Sequence, residues 1–185
     1  MWDRLRTLPP VSGPEGVRAA VLVPLYEDGD DIRVILTKRP DDMRTHPGQV
    51  AFPGGRIDPE DDGPVAAALR EAWEEVALPP DHVEEIFGGL PLMTTNRAEM
   101  VIAPVVARVR RPADLIPEPG EVDLILEPTL GELLDDAAWI TEPWEGFTMW
   151  FYEFPEATLW GATAFIMRSL IAHLRDEPLP EPPVR

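Results

Sequence analysis

One unit of this chain constrains its fold more than any other: a strand-like run that ends in paired glycines and leads into an acidic helix. The run ends at Phe52-Pro53-Gly54-Gly55, and a helix is predicted over residues 64–77. Paired glycines let the backbone turn sharply and bring a carbonyl oxygen close to a bound ion. Asp62 and Pro64 are residue types that favour the start of a helix. Strand, glycine turn, loop and helix are therefore predicted to form one structural unit.

The predicted helix carries three glutamates that share one face. Glu71, Glu74 and Glu75 are spaced i, i+3 and i+4, so their side chains are expected to converge, whereas Arg70 is expected to point away. Clustered carboxylates repel one another, and Mg²⁺ relieves that repulsion because it prefers oxygen ligands. The alternative is a solvated acidic face with nothing bound. The helix also has an apolar stripe, which favours a docked helix: Val65, Ala68, Leu69 and Ala72.

This segment resembles the signature of the Nudix hydrolase superfamily. The signature contains Arg-Glu, an aliphatic residue, any residue and Glu-Glu, and Arg70-Glu71-Ala72-Trp73-Glu74-Glu75 matches it in full. Two features depart from the general pattern: the stretch from Gly55 to Arg70 is one residue longer, and Ala77 stands where the signature closes on Gly. The longer loop, with Asp61 or Asp62 in place of the general Glu, is similar to the coenzyme A pyrophosphatase branch.

A second signature of that branch lies just upstream. Its pattern is Leu-Leu-Thr, any residue, Arg and a small residue, followed at fixed intervals by Arg, Gly and Phe-Pro-Gly-Gly. The chain reads Ile35-Leu36-Thr37-Lys38-Arg39-Pro40, then Arg44, Gly48 and Phe52-Pro53-Gly54-Gly55, and it deviates only at Ile35 and Pro40. Residues 119–122 and 159–164 also look like the branch, so the resemblance spans residues 17–175.

The resemblance implies a metal-dependent enzyme and a role for each matching residue. The implied ion is Mg²⁺ or Mn²⁺. Its implied ligands are the Gly54 carbonyl and the carboxylates of Glu71, Glu74 and Glu75. A later acid is implied as a further ligand, with Glu121 as the first candidate and Glu118 as the second. Glu71 is either a ligand or the base that takes a proton from water. Arg70 is expected to orient Glu71 or its neighbours through a charge-assisted hydrogen bond.

Composition excludes several classes of function. A formal net charge of −18 argues against general nucleic-acid binding, which needs a basic surface. No stretch is long and apolar enough to cross a bilayer, and the first twenty residues lack the apolar block of a signal peptide. We therefore expect a cytoplasmic protein that does not associate with membranes. Without cysteine there is no disulfide, thiolate nucleophile or Cys-type zinc site.

Basic residues are concentrated beside the glycine turn. No Lys or Arg occurs over residues 112–163, whereas five occur over residues 33–56: Arg33, Lys38, Arg39, Arg44 and Arg56. A local cationic rim can hold a polyanion on an acidic protein, because remote charges are screened beyond roughly 8 Å. Guanidinium groups also fit phosphate bidentately. The predicted substrate contacts are Arg39, Arg44, Arg56 and, in the loop before the turn, His46; ordinary surface solubility is the alternative.

The available nucleophiles point to water as the attacking group. The two serines, Ser12 and Ser169, lie in a Pro-rich lead and in a predicted helix, and of the three histidines only His46 lies near the glycine turn. A Ser-His-acid triad is therefore poorly supported. A bound metal lowers the pKa of its water and neutralises phosphate charge, so hydrolysis needs no covalent intermediate.

We expect one α/β domain, a Nudix-type α/β/α sandwich around a mixed β-sheet, over residues 17–175. Residues 1–16 are predicted to be an extended Pro-rich lead, and residues 176–185 an extended Pro-rich tail. Helices are predicted at 64–77, 130–136 and 161–174. Strands are predicted at 17–26, 32–39, 50–52, 84–90, 100–108, 121–126 and 147–154.

The branch resemblance implies that the substrate is coenzyme A or acyl-coenzyme A, cleaved to 3′,5′-ADP and a 4′-phosphopantetheine product. The alternative is the same bond in ADP-ribose, NADH or a dinucleotide. Thr94-Thr95-Asn96-Arg97 differs from the Ser- or Gly-containing stretch expected of the branch, which would fit an altered acyl or nucleotide preference. A non-catalytic nucleotide-binding module is disfavoured. Such a module is expected to have lost the glutamates of the signature, and this chain keeps Glu71, Glu74 and Glu75. A third alternative is a protein with a purely structural role, which would expose tryptophans on its surface. Four tryptophans are considered: Trp139, Trp144, Trp150 and Trp160. Most of them are expected to be buried, with one or two at a homodimer contact.

Overall fold

Strands of mixed direction build the centre of the protein, and helices cover them. The computed structural model describes residues 1–13, 16–43, 45–95, 100–144 and 147–180. The helices are α1 (Trp2–Leu5), α2 (Gly63–Val76), α3 (Leu130–Leu134) and α4 (Gly161–Arg175). The strands are β1 (Val17–Asp28), β2 (Asp31–Val34), β3 (Leu36–Lys38), β4 (Val50–Ala51), β5 (Gly54–Arg56), β6 (Val83–Gly89), β7 (Met93–Thr95), β8 (Met100–Val109), β9 (Leu124–Leu126), β10 (Trp139–Trp144), β11 (Phe147–Glu153) and β12 (Thr158–Leu159).

The largest sheet has six strands, in the order β2-β1-β8-β6, with β5 joined to β1 and β7 joined to β8. β1 and β8 run parallel, with Val23 opposite Val106, and the other pairs are antiparallel. Two smaller antiparallel sheets follow the orders β4-β3-β9 and β10-β11-β12. The sheet is therefore mixed, as predicted.

The two faces of β1 contact different cores. Ala20 and Leu22 pack with the buried side of α2, whereas Val23 and Leu25 pack with the buried side of α4. This alternation follows from the two-residue period of a strand, which sends successive side chains to opposite faces. α2 and α4 therefore cover opposite faces of the central sheet, and the predicted α/β/α sandwich is confirmed.

The run predicted as one strand over residues 32–39 is two strands in different sheets. β2 pairs with β1, whereas β3 pairs with β4 and β9. Val34, Ile35 and Leu36 are all fully buried, and Ile35 lies in a different core from its two neighbours. A continuous apolar run hides this break, because it has no polar residue at the point where the chain leaves the first sheet.

The N-terminal segment is not extended throughout, and that expectation is wrong for α1. Leu5 is fully buried, and the Trp2 ring stacks on Phe87 with ring centroids 5.6 Å apart. The Arg108 guanidinium lies 4.9 Å from the Trp2 ring centroid, and Arg6 pairs with the Glu85 carboxylate at 2.9 Å. The first residues therefore pack on β6 and β8.

The tryptophans are less buried than predicted. Trp139 is buried, with its Nε1 donating to the Leu133 carbonyl at 2.9 Å, but Trp150 is only partly buried and Trp144 and Trp160 are exposed. Trp144 is the last residue of β10, and Trp160 is at the N-cap of α4. Within the described ranges, no helix has both the length and the apolar character needed to cross a membrane.

Candidate active site

The paired glycines bring β5 close to both β1 and α2. Gly54 pairs with Val21, and a β-carbon on Gly54 would lie only 2.4 Å from the backbone oxygen of Ala20. A β-carbon on the next residue, Gly55, would lie 2.3 Å from Oε1 of Glu71. Successive side-chain positions point to opposite sides of a strand, so the two glycines permit close contact on both sides.

Glu75 is the buried carboxyl group of the site. The residue is 5% exposed, and its Oε2 accepts a hydrogen bond from the Gly54 N–H at 3.1 Å. Burial is the main reason why the pKa of Glu75 is raised to about 8; the charges of Glu71 and Glu121 raise it too, while the Gly54 N–H and Arg39 lower it. An ionised Glu75 is therefore stabilised by any cation that binds beside it.

Glu71 lies against Gly55 with its side chain 13% exposed. Burial raises the pKa of Glu71, the Arg70 guanidinium lowers it, and the charges of Glu74 and Glu121 raise it. Arg70 Nη1 donates to Glu71 Oε1 at 3.0 Å. The carboxylate is thus held through one oxygen by a cationic donor of the same helix.

Arg70 does not point away from the glutamates, and that expectation is wrong. Its Nη1 also donates to Glu74 Oε2 at 3.1 Å, and its Nη2 donates to the Arg56 carbonyl at 2.9 Å. A long arginine side chain can reach a residue one turn away whatever the direction of its β-carbon. Arg70 therefore connects the helix to the end of β5.

Asp61, rather than Asp62, fills the acidic position of the loop before α2. Arg70 Nε and Nη2 donate to its two carboxylate oxygens at 3.1 and 3.0 Å, and the Asp58 N–H donates to Oδ2 at 2.9 Å. Asp61 has a side chain 7% exposed, and Arg70 holds the pKa of this carboxyl below its usual value. Asp62 is at the N-cap of α2 and its side chain makes no capping hydrogen bond.

The predicted convergence of three glutamates is only partial. Glu71 and Glu75 contact the glycine turn, but the Glu74 side chain is 55% exposed and bonds to Arg70 at the rim. Glu74 remains close enough for its charge to raise the pKa of Glu71. The site therefore consists of two sheltered carboxyl groups with a third at its edge.

The loop before β9 adds Glu121 to this cluster. The Glu118 N–H donates to the backbone oxygen of Glu75 at 2.9 Å, and the N–H groups of Glu121 and Val122 donate to the Glu118 oxygen at 3.0 and 2.8 Å. Glu121 is close enough for its charge to raise the pKa of both Glu71 and Glu75. The charge of Glu121, the preferred one of the two acids considered from sequence, thus reaches the sheltered carboxyl groups.

The predicted substrate contacts lie around the same turn. The Arg39 N–H donates to the Gln49 oxygen at 3.0 Å, and its buried Nε has no hydrogen-bond partner among the described residues. His46 is exposed, and its Nδ1 lies 2.7 Å from Gln49 Oε1. Arg56 is exposed at the end of β5. Arg44 lies outside the described residues.

The residues present fit a hard divalent cation. In the part of the chain that the structure describes, no three acidic or histidine side chains already surround one point. Carboxyl oxygens are nevertheless the donors that Mg²⁺ and Mn²⁺ prefer, and here two of them are sheltered beside the glycine turn, with pKa values raised by burial and mutual repulsion. The structure places the N–H of Gly54 on Glu75, so the role of the Gly54 carbonyl as a ligand stays a prediction.

Comparison with known proteins identifies the family of the chain. The family model described as NUDIX domain matches residues 16–144. The chain belongs to the Nudix hydrolase family. A relative named Uncharacterized Nudix hydrolase NudL, from Enterobacter sp. (strain 638), is 38% identical over 165 residues, 87% of this Nudix hydrolase and 84% of the relative. As a family member, the protein acts on compounds that contain a pyrophosphate linkage.

Solved structures show the same fold at lower identity. The MutT/nudix family protein from Enterococcus faecalis superimposes with a TM-score of 0.56 and 18% identity, over 95% of this chain and 66% of that one. The binary complex of the C. elegans Ap4A hydrolase superimposes with a TM-score of 0.52 and 22% identity, over 65% of this chain and 83% of that one. These likenesses confirm the mixed α/β architecture of this Nudix hydrolase.

Sequence reasoning missed two parts of the site. It did not predict the Asp61–Arg70 pair, or the ion pair of Lys38 Nζ with Asp123 Oδ2 at 2.8 Å. Residues 38 and 123 are far apart in the chain, and only the pairing of β3 with β9 brings them together. The weak signal available was that Lys38 is the one lysine of the chain and lies inside the upstream signature.

Proposed function

We propose that this Nudix hydrolase cleaves the pyrophosphate bond of coenzyme A or acyl-coenzyme A, with Mg²⁺ or Mn²⁺, to 3′,5′-ADP and (acyl-)4′-phosphopantetheine. The observation that carries the reaction is the buried Glu75 carboxyl, which lies on the glycine turn beside Glu71 and within reach of the Glu121 charge. Such a carboxyl costs stability when it is ionised, and a bound cation would offset that cost.

The choice of substrate is supported by the position of the upstream signature. Thr37 and Lys38 lie in β3, whose partner β4 leads directly into the glycine turn. Arg39 follows at the end of β3 and its charge acts on Glu75. The segment by which the chain resembles the coenzyme A pyrophosphatase branch therefore borders the carboxyl groups proposed to hold the metal.

In this proposal Gly54, Glu71, Glu74, Glu75 and Glu121 would hold the ion. When bound, the ion would neutralise phosphate charge and lower the pKa of a water molecule. Arg70 donates to Oε1 of Glu71 and so positions that carboxylate as a ligand or as the base that accepts a proton from water.

The substrate phosphates would be bound by the basic residues around the turn. The buried Nε of Arg39 has no partner in the described ranges and can donate to a phosphate oxygen. Arg44, His46 and Arg56 are the further contacts of the proposal. Because His46 and Arg56 are exposed while Glu75 is buried, the substrate would be held at its phosphates and leave both of its ends outside.

The test is a substrate panel with the purified protein, in Mg²⁺ and in Mn²⁺. The panel contains coenzyme A, an acyl-coenzyme A, ADP-ribose, NADH and a nucleoside triphosphate. We expect the highest kcat/KM for one of the first two, with 3′,5′-ADP as a chromatographically identified product. A clear preference for any other compound would overturn the substrate assignment. A preparation of Glu75→Gln, purified in parallel, measures contaminating hydrolases; equal activity in both preparations would overturn the site.

A further inference from the structure

Lys38 joins two loops that border the candidate site. It is the one lysine of the chain, and the residue is 8% exposed. Its Nζ donates to Asp123 Oδ2 at 2.8 Å and to Asp41 Oδ2 at 3.2 Å. Asp41 precedes His46 in the loop after β3, and Asp123 follows Glu121 in the loop before β9.

The contact with Asp123 holds one end of the loop that carries Glu121. Asp123 is bound twice by the same residue, because its N–H also donates to the Lys38 carbonyl at 2.8 Å. The other end of the loop is held by the bond from the Glu118 N–H to the Glu75 oxygen at 2.9 Å. Glu121 therefore lies between an anchor on α2 and an anchor on Lys38.

The contact with Asp41 holds the loop that carries His46. The Asp41 carboxylate packs so closely on Gly48 that a β-carbon there would lie 2.5 Å from Oδ1. The Gly48 N–H donates to the Pro40 oxygen at 3.3 Å, and the next residue, Gln49, bonds to the His46 ring. Movement of Asp41 would therefore be transmitted to the segment from Gly48 to Gln49, and so to His46.

We propose that Lys38 is a positioning residue that holds the acid-bearing loop through Asp123 and the substrate-binding loop through Asp41. The inference rests on the proposed roles of Glu121 and His46. An ammonium group suits this task because it is compact and offers three donors that rotate freely, whereas the planar fork of arginine favours a single carboxylate.

The two contacts can be separated by substitution. Asp123→Asn weakens the hold on the Glu121 loop, and we expect kcat to fall and the dissociation constant for Mn²⁺ to rise, each by about tenfold. Asp41→Asn weakens the hold on the His46 loop, and we expect KM to rise about fivefold while Mn²⁺ affinity stays within about twofold. Lys38→Met should combine both changes, and Lys38→Arg should restore only one of them.

Mn²⁺ binding is measured by calorimetry on the free protein without substrate, and kinetics use the compound that the panel shows to be the best substrate. The matched control is Arg168→Met, which removes another partly buried cation that forms an ion pair. Arg168 lies on α4, its side chain is 18% exposed, and its Nη1 lies 2.8 Å from Asp136 Oδ1. The substitution should lower thermal stability and leave kcat, KM and Mn²⁺ affinity within about twofold.

Two results would overturn the role of Lys38. One is a Lys38→Met protein with changed thermal stability but unchanged kcat, KM and Mn²⁺ affinity. The other, which applies even if Lys38→Met does not fold, is the same kinetic and Mn²⁺ profile for Asp123→Asn and Asp41→Asn. Failure of the metal site itself would look different, because Glu75→Gln would then bind Mn²⁺ as tightly as the unaltered protein.

Discussion

α2 and α4 pack on opposite faces of the same sheet, yet they bury different chemistry. α4 buries large side chains, including Phe165, Met167 and Leu170, and its buried Ser169 donates to the Phe165 carbonyl at 2.8 Å. α2 buries three alanines and Val76, together with the carboxyl of Glu75. The alanines of α2 pack with Ala20, Leu22 and Val105 of the central sheet. The comparison indicates that α4 mainly supplies stability, whereas α2 gives up stability to place a carboxyl inside.

The largest expected effect separates the two helices by activity. Glu75→Gln should lower kcat by at least about 100-fold, because the amide cannot offer a charged oxygen to a cation. Ser169→Ala on α4 should leave kcat within about twofold while costing about 1 kcal/mol of stability. Steady-state kinetics with circular dichroism of both variants measure this difference. A folded Glu75→Gln protein with near-normal turnover would remove α2 from the chemistry.

The next effect concerns the packing of α4. Leu170 is fully buried, and Leu170→Ala should cost about 3 kcal/mol because it leaves a cavity between α4 and the sheet. For a protein of this size the melting temperature should fall by roughly 6–12 °C. KM should stay near its original value. Calorimetry measures the change, and a loss below about 1 kcal/mol would show that α4 contributes less than its buried side chains indicate.

A pH series should expose the cost of the buried carboxyl on α2. The pKa of Glu75 rises from 4.5 to about 8 on folding, so the folded protein binds this proton more tightly. The metal-free protein should therefore lose stability as pH rises from 4.5 to about 8, a loss that Glu75→Gln avoids. We expect the variant to be more stable at pH 8 by at least about 1 kcal/mol and similar at low pH.

Melting temperatures in a chelating buffer across this pH range test the expectation. Mg²⁺ should then stabilise the unaltered protein more than the variant, because only the unaltered carboxylate can ligate it. A constant difference between the two proteins at every pH would contradict a raised pKa of Glu75.

The smallest effect concerns the ends of the two helices, both of which close with a left-handed residue. Ala77 after α2 has φ 53°, and Asp176 after α4 has φ 60°. Ala77→Gly should stabilise the protein by up to about 1 kcal/mol, because glycine adopts positive φ without strain. Asp176→Gly should give no gain, since Asp tolerates this conformation better and Asp176 pairs with Arg4. The midpoints of denaturant unfolding of the two variants measure this difference. A lower midpoint for Ala77→Gly than for the unaltered protein would indicate that the backbone at Ala77 is not strained.

Local sequence signals were sufficient for much of the fold. The bounds of α2 differ by one residue from those predicted, because Asp62, Gly63 and Pro64 mark its start and the Ala77-Leu78-Pro79 segment marks its end. The β1–β2 hairpin was predictable from the turn at Gly29. β5 was missed because glycines carry no strand signal, and β10 because its exposed face lacks clear alternation.

The sequence by itself determined the family of the protein and the carboxyl groups that are candidates for the site, because motif spacing and helix periodicity are local properties. Only the tertiary structure decided what each group does in place. Glu74 and Glu75 are adjacent and chemically alike, yet one is at the rim and the other is buried against Gly54. Burial depends on what packs across from a residue, and the partners here, β5 and the loop of Glu118–Asp123, come from distant parts of the chain. The pKa of a carboxyl follows from that environment, so it could not be read from residue order.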